Sequence, residues 1–159
     1  WLALATCSYM LNDIEEDLRY LGLPYTIYGK TPIKQDLLKA VSAWKRLNQF
    51  EQLNYNDVAA IYANLKTGFK IGEADKSYIM SLEKHGGLGV DPKINLSTIH
   101  MAKGGECDNV MLLTDLSRAN QNEMEVNPDD TDRVFYVGAT RAKKSLHIIN
   151  PQTERGYFI

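Results

Sequence analysis

Hydrophobic residues along the chain recur with two different spacings, and these spacings alternate. Residues 1–7 form an apolar run typical of a strand, whereas residues 11–21 carry leucine or isoleucine at every third or fourth position, as a helix does. A short β-rich run at residues 24–28 follows a break made by glycine and proline. Residues 32–47 return to helical spacing, with proline in the first turn. The first part of the chain therefore predicts strand, helix, strand and helix.

The second part of the chain contains three further predicted strands. Residues 94–99 alternate between apolar and polar side chains, and residues 109–114 are a continuous apolar run like that of a buried parallel strand. Residues 146–149 predict a last strand before a proline. These runs lie between helical or polar segments, as the strands of an α/β protein do.

The connections between the later strands are less regular. The stretch 117–130 is rich in Asn, Asp and Glu and is predicted to be a loop. Asp130 or Thr131 could cap a helix that carries apolar residues as far as Ala142. Earlier in the chain, residues 50–92 are more polar and have helical spacing. We expect residues 50–92 to form a small helical insert at one edge of a mostly parallel sheet that is flanked by helices.

Composition adds a few limits. The chain has 159 residues, a formal net charge of -2 and 44% hydrophobic residues, which are ordinary values for one globular domain. No apolar run approaches the length needed to cross a membrane, so no membrane partner is expected. Cys7 and Cys107 are far apart and predict free thiols, not a disulfide or a metal site. The mild acidity argues against a nucleic-acid coat protein but permits a local basic patch.

The start of the chain permits two expectations. The apolar run begins directly at Trp1, which predicts that further chain precedes it and that the first strand could be truncated. No basic region comes before the run, so a signal peptide is not expected.

Candidate chemistry begins with the segment 97–113. A predicted strand carries Thr98 and leads directly to His100. Small residues that include Gly104 then permit a tight turn, and Glu106 precedes the next strand. Polar groups at strand ends beside glycines are how open α/β sheets build ligand sites. Taken alone, however, a histidine in a loop is more often an ordinary polar residue, and a glutamate in a turn is often only solvated.

A second candidate segment covers residues 132–149. Thr140 and Arg141 lie late in a helix that is otherwise apolar, before the last predicted strand. An arginine at a helix end is commonly a complement to the helix dipole, so this segment too is only moderate evidence when taken alone.

Together the two segments resemble motifs V and VI of UvrD/PcrA/Rep-like superfamily 1 DNA helicases, TxHxAKGxExxxV followed by YVxxTRAKxxL. The matching residues are Thr98, His100, Ala102, Lys103, Gly104, Glu106 and Val110, then Tyr136, Val137, Thr140, Arg141, Ala142 and Lys143. Residues 11–32 are similar to the family stretch in which a helix with paired Glu leads to a GxPYxxxG turn. The chain departs from the family at Thr6 or Cys7 and at Asn12, where arginines are usual. It departs again at Gly105, where a hydrophobic residue is common, and at Cys107, where Phe is usual.

This resemblance implies that residues 1–159 are the second, C-terminal RecA-like motor domain of a DNA helicase, with the P-loop NTPase type of fold. It implies that Arg141 is an arginine finger, that Glu106 binds the nucleotide ribose, and that Gly104 lies beside the nucleotide. Contacts with single-stranded DNA are implied for Thr98, His100 and Lys103.

The resemblance also implies cofactors and partners. The cofactors are ATP and Mg²⁺, the partner is an N-terminal RecA-like domain of the same protein, the location is cytoplasmic, and the context is DNA repair or replication. The chain has no GxxxxGK(S/T) sequence and no apolar strand that ends in an acidic pair. The phosphate-binding loop and the Mg²⁺ ligands are therefore expected on the N-terminal domain, and the isolated chain is expected to be inactive.

Two alternatives stay open at the level of sequence. One is a degenerate, non-catalytic module that binds nucleic acid or protein. The presence of both Glu106 and Arg141 argues against it, because a module that does not use ATP needs neither. The other is a helicase–nuclease subunit, for which the chain offers no cluster of carboxylates and lysine. The sequence of the upstream region would separate the helicase from the non-catalytic module.

Overall fold

The structure, a computed structural model, describes residues 1–49, 51–66 and 71–158. The chain divides into two compact units. The first, here called the sheet unit, comprises residues 1–16, 26–30 and those from 93 onward. The second, here called the helical unit, comprises residues 17–25 and 31–92.

The strands form one five-stranded sheet in the part of the chain that is described. They are β1 (Leu2–Ala5), β2 (Tyr25–Ile27), β3 (Ile94–Thr98), β4 (Cys107–Leu113) and β5 (Ala142–Ile149). Their order is β2-β3-β1-β4-β5, and all of them are parallel. The carboxyl ends of parallel strands meet at one edge of the sheet, here called the carboxyl edge, and the beginnings meet at the opposite edge, the amino edge. The prediction of an α/β fold with a mostly parallel sheet, consistent with a RecA-like domain, is confirmed.

The core of the sheet unit lies on one face of β1 and β4. Alternate residues of a strand point to the same face, which brings Leu2 and Leu4 of β1 beside Val110 and Leu112 of β4. The core is closed by Phe135, which is 2% exposed and lies on α6 (Pro128–Ala139). A helix that carries the last candidate residues is thus fixed directly against the sheet.

The remaining helices have amphipathic or polar sequences. They are α1 (Asn12–Tyr20), α2 (Gln35–Asn48), α3 (Tyr55–Lys66), α4 (Glu73–Lys84) and α5 (Arg118–Val126). A short 3-10 turn at Ser8–Leu11 precedes α1. None of the helices in the described part of the chain is both long and apolar enough to span a membrane.

The helical unit is held together around two tyrosines. The rings of Tyr25 and Tyr78 lie 5.5 Å apart between centroids, and the Arg19 Nε donates a hydrogen bond of 2.9 Å to the Tyr25 hydroxyl. Arg19 also forms an ion pair of 3.2 Å with Asp75 of α4. These contacts join α1 and α4 inside this unit.

Residues 50–92 were expected to be a helical insert. The described residues of this range form α3 and α4 and no strand, whereas residues 50 and 67–70 lie outside the described residues. The compact unit extends further than the expected range, because it also includes α2 and residues 17–25. The interpretation of residues 50–92 as an insert stays a prediction.

The expectation of a loop over residues 117–130 is wrong. Residues Arg118–Val126 form α5, and α6 already begins at Pro128. The Ser117 Oγ accepts a hydrogen bond from the Asn120 N–H and so caps α5. The apolar periodicity that signals a helix is absent here. Among the described residues of α5, Met124 is the only large apolar side chain that packs against the core.

Further boundaries differ from the predictions. Helix α2 begins at Gln35, so Pro32 lies before the helix and not in its first turn. The first strand ends at Ala5 instead of continuing to residue 7. Helix α6 begins before Asp130 and Thr131 and ends at Ala139, so neither of these residues caps it and Ala142 belongs to β5. Ala142 is opposite Cys107 of β4, so pairing with a strand more than thirty residues earlier ends the helical conformation.

The residues after β5 return to the sheet as a tail. The Tyr157 N–H donates to the Thr114 carbonyl at 2.8 Å, and the Leu116 N–H donates to the Arg155 carbonyl at 3.1 Å. The Tyr157 ring stacks on Phe135 with centroids 4.2 Å apart, and its hydroxyl donates to Asp132 at 2.7 Å. The tail therefore fastens α6 at the carboxyl edge.

Candidate functional site

Arg141 lies at the amino edge, in the connection between α6 and β5. Its backbone is fixed on both sides: its N–H donates to the Gly138 carbonyl at 3.2 Å, and its carbonyl accepts from the Cys107 N–H at 2.9 Å. The expectation that Thr140 and Arg141 lie late within the helix is corrected, because α6 ends at Ala139, Thr140 is its C-cap residue and Arg141 follows Thr140. Arg141 is therefore anchored to a helix end and to the start of β4 at once.

The Arg141 side chain is held by three hydrogen bonds. Its Nε donates to the Val137 carbonyl at 3.0 Å, one terminal nitrogen donates to the Gly105 carbonyl at 3.1 Å, and the other donates to the Thr140 hydroxyl at 3.1 Å. A guanidinium group has five N–H donors. The other two have no acceptor within the described residues, and the side chain is partly exposed. The group is thus fixed in orientation and still able to donate.

Glu106 and Gly104 lie in the same region. Gly104 has a φ of +87°, a backbone conformation that side chains disfavour, and it turns the chain toward Gly105. The Glu106 carboxylate is about half exposed and pairs with the Lys143 ammonium at 3.2 Å. Because Arg141 binds the carbonyl of Gly105, the residue before Glu106, the structure brings together the three residues expected to bind the nucleotide.

Thr98 and His100 lie at the opposite edge of the sheet. Thr98 ends β3, and its hydroxyl accepts a hydrogen bond from the Met101 N–H at 3.3 Å. His100 is exposed and lines a pocket of about 370 Å³ with Thr6, Leu116 and Phe135. Thr98 therefore shapes the start of the turn, whereas His100 is exposed at a pocket.

Residues 99–106 connect the two edges and are here called the crossover. Ile99 is buried in the core, and Ala102 packs against it. Lys103 is exposed, and its ammonium group has no hydrogen-bond or ion-pair partner in the described part of the chain. The candidate residues are therefore divided between two edges of the sheet and are joined by one short connection.

Helix α6 approaches the crossover closely at Gly138. A Cβ atom at this position would lie 2.9 Å from Leu112 Cδ1 and 3.4 Å from Ile99 Cδ1. A side chain at this position would press on Leu112 and Ile99, so the glycine favours the close approach of α6 to the sheet and helps to determine the position of Arg141.

Sequence reasoning missed the partners of the candidate residues. The carbonyl of Gly105 leaves no signal in a sequence, and neither does the Lys143–Glu106 ion pair. Thr140, immediately before Arg141 in the quoted motif, was the one available clue to a side chain that binds the guanidinium. The described residues contain no group of three or more His, Cys, Asp or Glu side chains that could hold a metal ion.

Charged pairs also surround the start of β5. The Lys144 ammonium donates a hydrogen bond of 2.8 Å to Asp108. This hydrogen bond lowers the pKa of the Asp108 carboxyl below its usual value and raises the pKa of Lys144 above its own. Each lysine at the start of β5 is thus paired with an acidic residue from the region where β4 begins.

Comparison with known proteins agrees with the motifs. The family model of the UvrD-like helicase C-terminal domain matches residues 35–153, more than half of the chain. No curated protein matches the chain. The matched region includes the crossover, α6 and β5, and hence both Glu106 and Arg141. The chain belongs to the UvrD-like helicase C-terminal domain family and is the C-terminal part of a helicase-type protein.

Proposed function

We propose that the chain is the second RecA-like motor domain of an ATP-dependent DNA helicase. In this proposal it completes an ATP site whose phosphate-binding loop and Mg²⁺ ligands are supplied by an N-terminal RecA-like domain of the same protein. Membership of the helicase family supports a role with nucleic acid and a partner domain. The assignment of ATP, of single-stranded DNA and of individual residues is our own.

The observation that carries the proposal is the way in which Arg141 is held. Its guanidinium is oriented by Val137, Gly105 and Thr140, while two N–H donors have no acceptor among the described residues. Phosphoryl transfer depends mainly on positioning and on stabilising the charge that develops on the phosphoryl oxygens. A permanently charged, fork-shaped group whose orientation is fixed suits that task. We assign to Arg141 the role of an arginine finger.

The neighbouring residues fit a nucleotide. A carboxylate such as Glu106 accepts hydrogen bonds from hydroxyl groups, as those of a ribose. Gly104 has no side chain and adopts a positive φ, so the backbone of the crossover remains open beside Glu106. ATP would supply the transferable γ-phosphoryl group, and Glu106 and Arg141 would orient its two ends.

Single-stranded DNA is proposed to contact Thr98, His100 and Lys103. His100 and Lys103 are exposed, and Lys103 carries a positive charge that suits a phosphate. Contacts of this kind are made with the phosphate backbone of the DNA and not with its bases. We therefore expect DNA binding that is sensitive to salt and independent of sequence.

The experiment that tests the proposal is substitution of Arg141 in the full-length protein. Arg141→Ala should lower the kcat for ATP by roughly 10³-fold, the scale associated with arginine fingers. Nucleotide affinity should fall far less, because the phosphate loop and Mg²⁺ ligands are on the other domain. Arg141→Lys should restore little, since an ammonium cannot reproduce the fork.

Melting temperature separates this role from a purely structural one. If Arg141 only joins α6 to the crossover, Arg141→Ala will lower the melting temperature while kcat stays near normal. That outcome would remove the arginine-finger assignment and return the chain to the non-catalytic alternative.

A further inference from the structure

A β-bulge lies where β5 begins beside β4. Cys107 is opposite Ala142 and Asn109 is opposite Ser145, so the single residue Asp108 faces two residues, Lys143 and Lys144. A bulge of this kind re-aims side chains and is common next to active sites. Lys144 pairs with Asp108 at 2.8 Å, and Lys143 pairs with Glu106 at 3.2 Å. The extra residue in β5 therefore provides a second lysine that reaches Glu106.

The ion pair between Lys143 and Glu106 matters because Arg141 binds the residue next to Glu106. Arg141 binds the carbonyl of Gly105, immediately before Glu106, at 3.1 Å. A carboxylate is a stronger acceptor for a guanidinium than a carbonyl is, and it often binds the guanidinium through two hydrogen bonds. Yet the Glu106 carboxylate pairs with Lys143, and the described contacts of Arg141 are with carbonyl and hydroxyl oxygens only.

We propose that Lys143 is a positioning residue that holds the Glu106 carboxylate away from Arg141 and so keeps the guanidinium available for phosphate. This inference rests on the proposed function, because it needs Arg141 to contact the γ-phosphate. The Lys143 and Glu106 side chains are 54% and 55% exposed, so their ion pair adds little to stability and its loss should not unfold the protein. Without Lys143, Glu106 competes with phosphate for Arg141.

The test compares variants of the full-length protein by their nucleotide preference. The affinity of a non-hydrolysable ATP analogue divided by that of ADP reports contacts with the γ-phosphate, whereas a ribose contact affects both nucleotides and cancels. Lys143→Ala should lower this ratio and kcat together, by about fivefold, the upper range for an exposed ion pair. Lys143→Arg should retain both values.

Two variants make the test specific. Lys144→Ala removes the adjacent lysine and its similar ion pair, and it should leave the ratio unchanged. The double variant Lys143→Ala with Glu106→Gln should recover the ratio, because a neutral amide does not capture Arg141. Melting temperatures should be alike in all of these proteins.

The outcomes separate the two proposals. If Arg141→Ala lowers the ratio while Lys143→Ala matches Lys144→Ala, the role of Lys143 is wrong and the proposed function stands. The role of Lys143 is also wrong if Glu106→Gln does not recover the ratio. If Arg141→Ala itself changes neither the ratio nor kcat, the proposed function fails first.

Discussion

At the amino edge of the sheet, the Arg141 guanidinium donates three hydrogen bonds to the protein. At the carboxyl edge and on the crossover, the side chains of His100 and Lys103 are exposed, and no partner for either is found in the described residues. The first region holds its charged group by hydrogen bonds, whereas the second has exposed side chains without a described partner. This difference fits the two proposed tasks, because phosphoryl transfer demands accurate positioning, whereas phosphate contacts along DNA tolerate movement.

After the loss of Arg141 itself, the largest expected effect is from Gly138→Val, which tests how the amino edge is fixed. The added side chain would collide with Leu112 and Ile99, which are 0% and 1% exposed and cannot easily move. The free energy of unfolding should fall by ~1–3 kcal/mol. The Gly138 carbonyl accepts a hydrogen bond from the Arg141 N–H, so a shift of Gly138 should displace Arg141. ATP turnover should therefore fall as well.

Thermal denaturation and ATPase assays would measure both effects. Gly105→Ala is the control, since a Cβ there meets only the Ala102 carbonyl oxygen at an ordinary 3.5 Å. A Gly138→Val protein with normal stability and turnover would show that the close approach of α6 does not fix Arg141.

The next prediction concerns the crossover. Lys103→Ala should weaken the binding of single-stranded DNA severalfold and equally for all sequences, and it should reduce the salt dependence by about 0.7 in the slope of log K against log salt. At saturating DNA the kcat for ATP should be unchanged. A salt titration with a fluorescent oligonucleotide measures this slope. Lys144→Ala is the control, because it also removes one lysine. Equal slopes for the two variants would mean that Lys103 touches no phosphate.

The smallest effect is expected at the carboxyl edge, in Tyr157→Phe. This variant loses the hydrogen bond to Asp132 and should be less stable by ~0.5–1.5 kcal/mol, with normal ATP turnover. The hydrogen bond raises the pKa of the Tyr157 hydroxyl above its usual value. Its contribution is therefore complete below the ordinary tyrosine pKa and is lost as pH rises through the raised one.

Denaturation of Tyr157→Phe and of the original protein at neutral and alkaline pH would show how the stability contributed by this hydrogen bond changes with pH. The stability difference should shrink as the pH rises. Tyr136→Phe, at a tyrosine that is 71% exposed, serves as the control. A difference that is constant or grows with pH would contradict the described hydrogen bond.

The sequence allowed the fold class and the family to be predicted, because the strands are short apolar runs and the two motifs are ordered and specific. It did not allow α5 to be predicted, since a polar helix capped by Ser117 has no apolar period. The division of the candidate residues between two edges also required the structure. Thr98 and Glu106 are close in sequence, and only the parallel order of β3, β1 and β4 shows that the chain must cross the sheet between them.

The parallel sheet also has a consequence for synthesis of the protein. Leu2 of β1 pairs with Asn95 of β3, a residue about 90 positions later in the chain. At a translation rate of about 5–20 residues per second, β1 waits several seconds before its first partner strand leaves the ribosome. Throughout this interval the apolar sequence LALA has none of the partner strands that it has in the folded sheet, and unpaired strand segments of this kind join other chains. Production of the intact protein is therefore expected to depend on chaperones that shield the nascent chain.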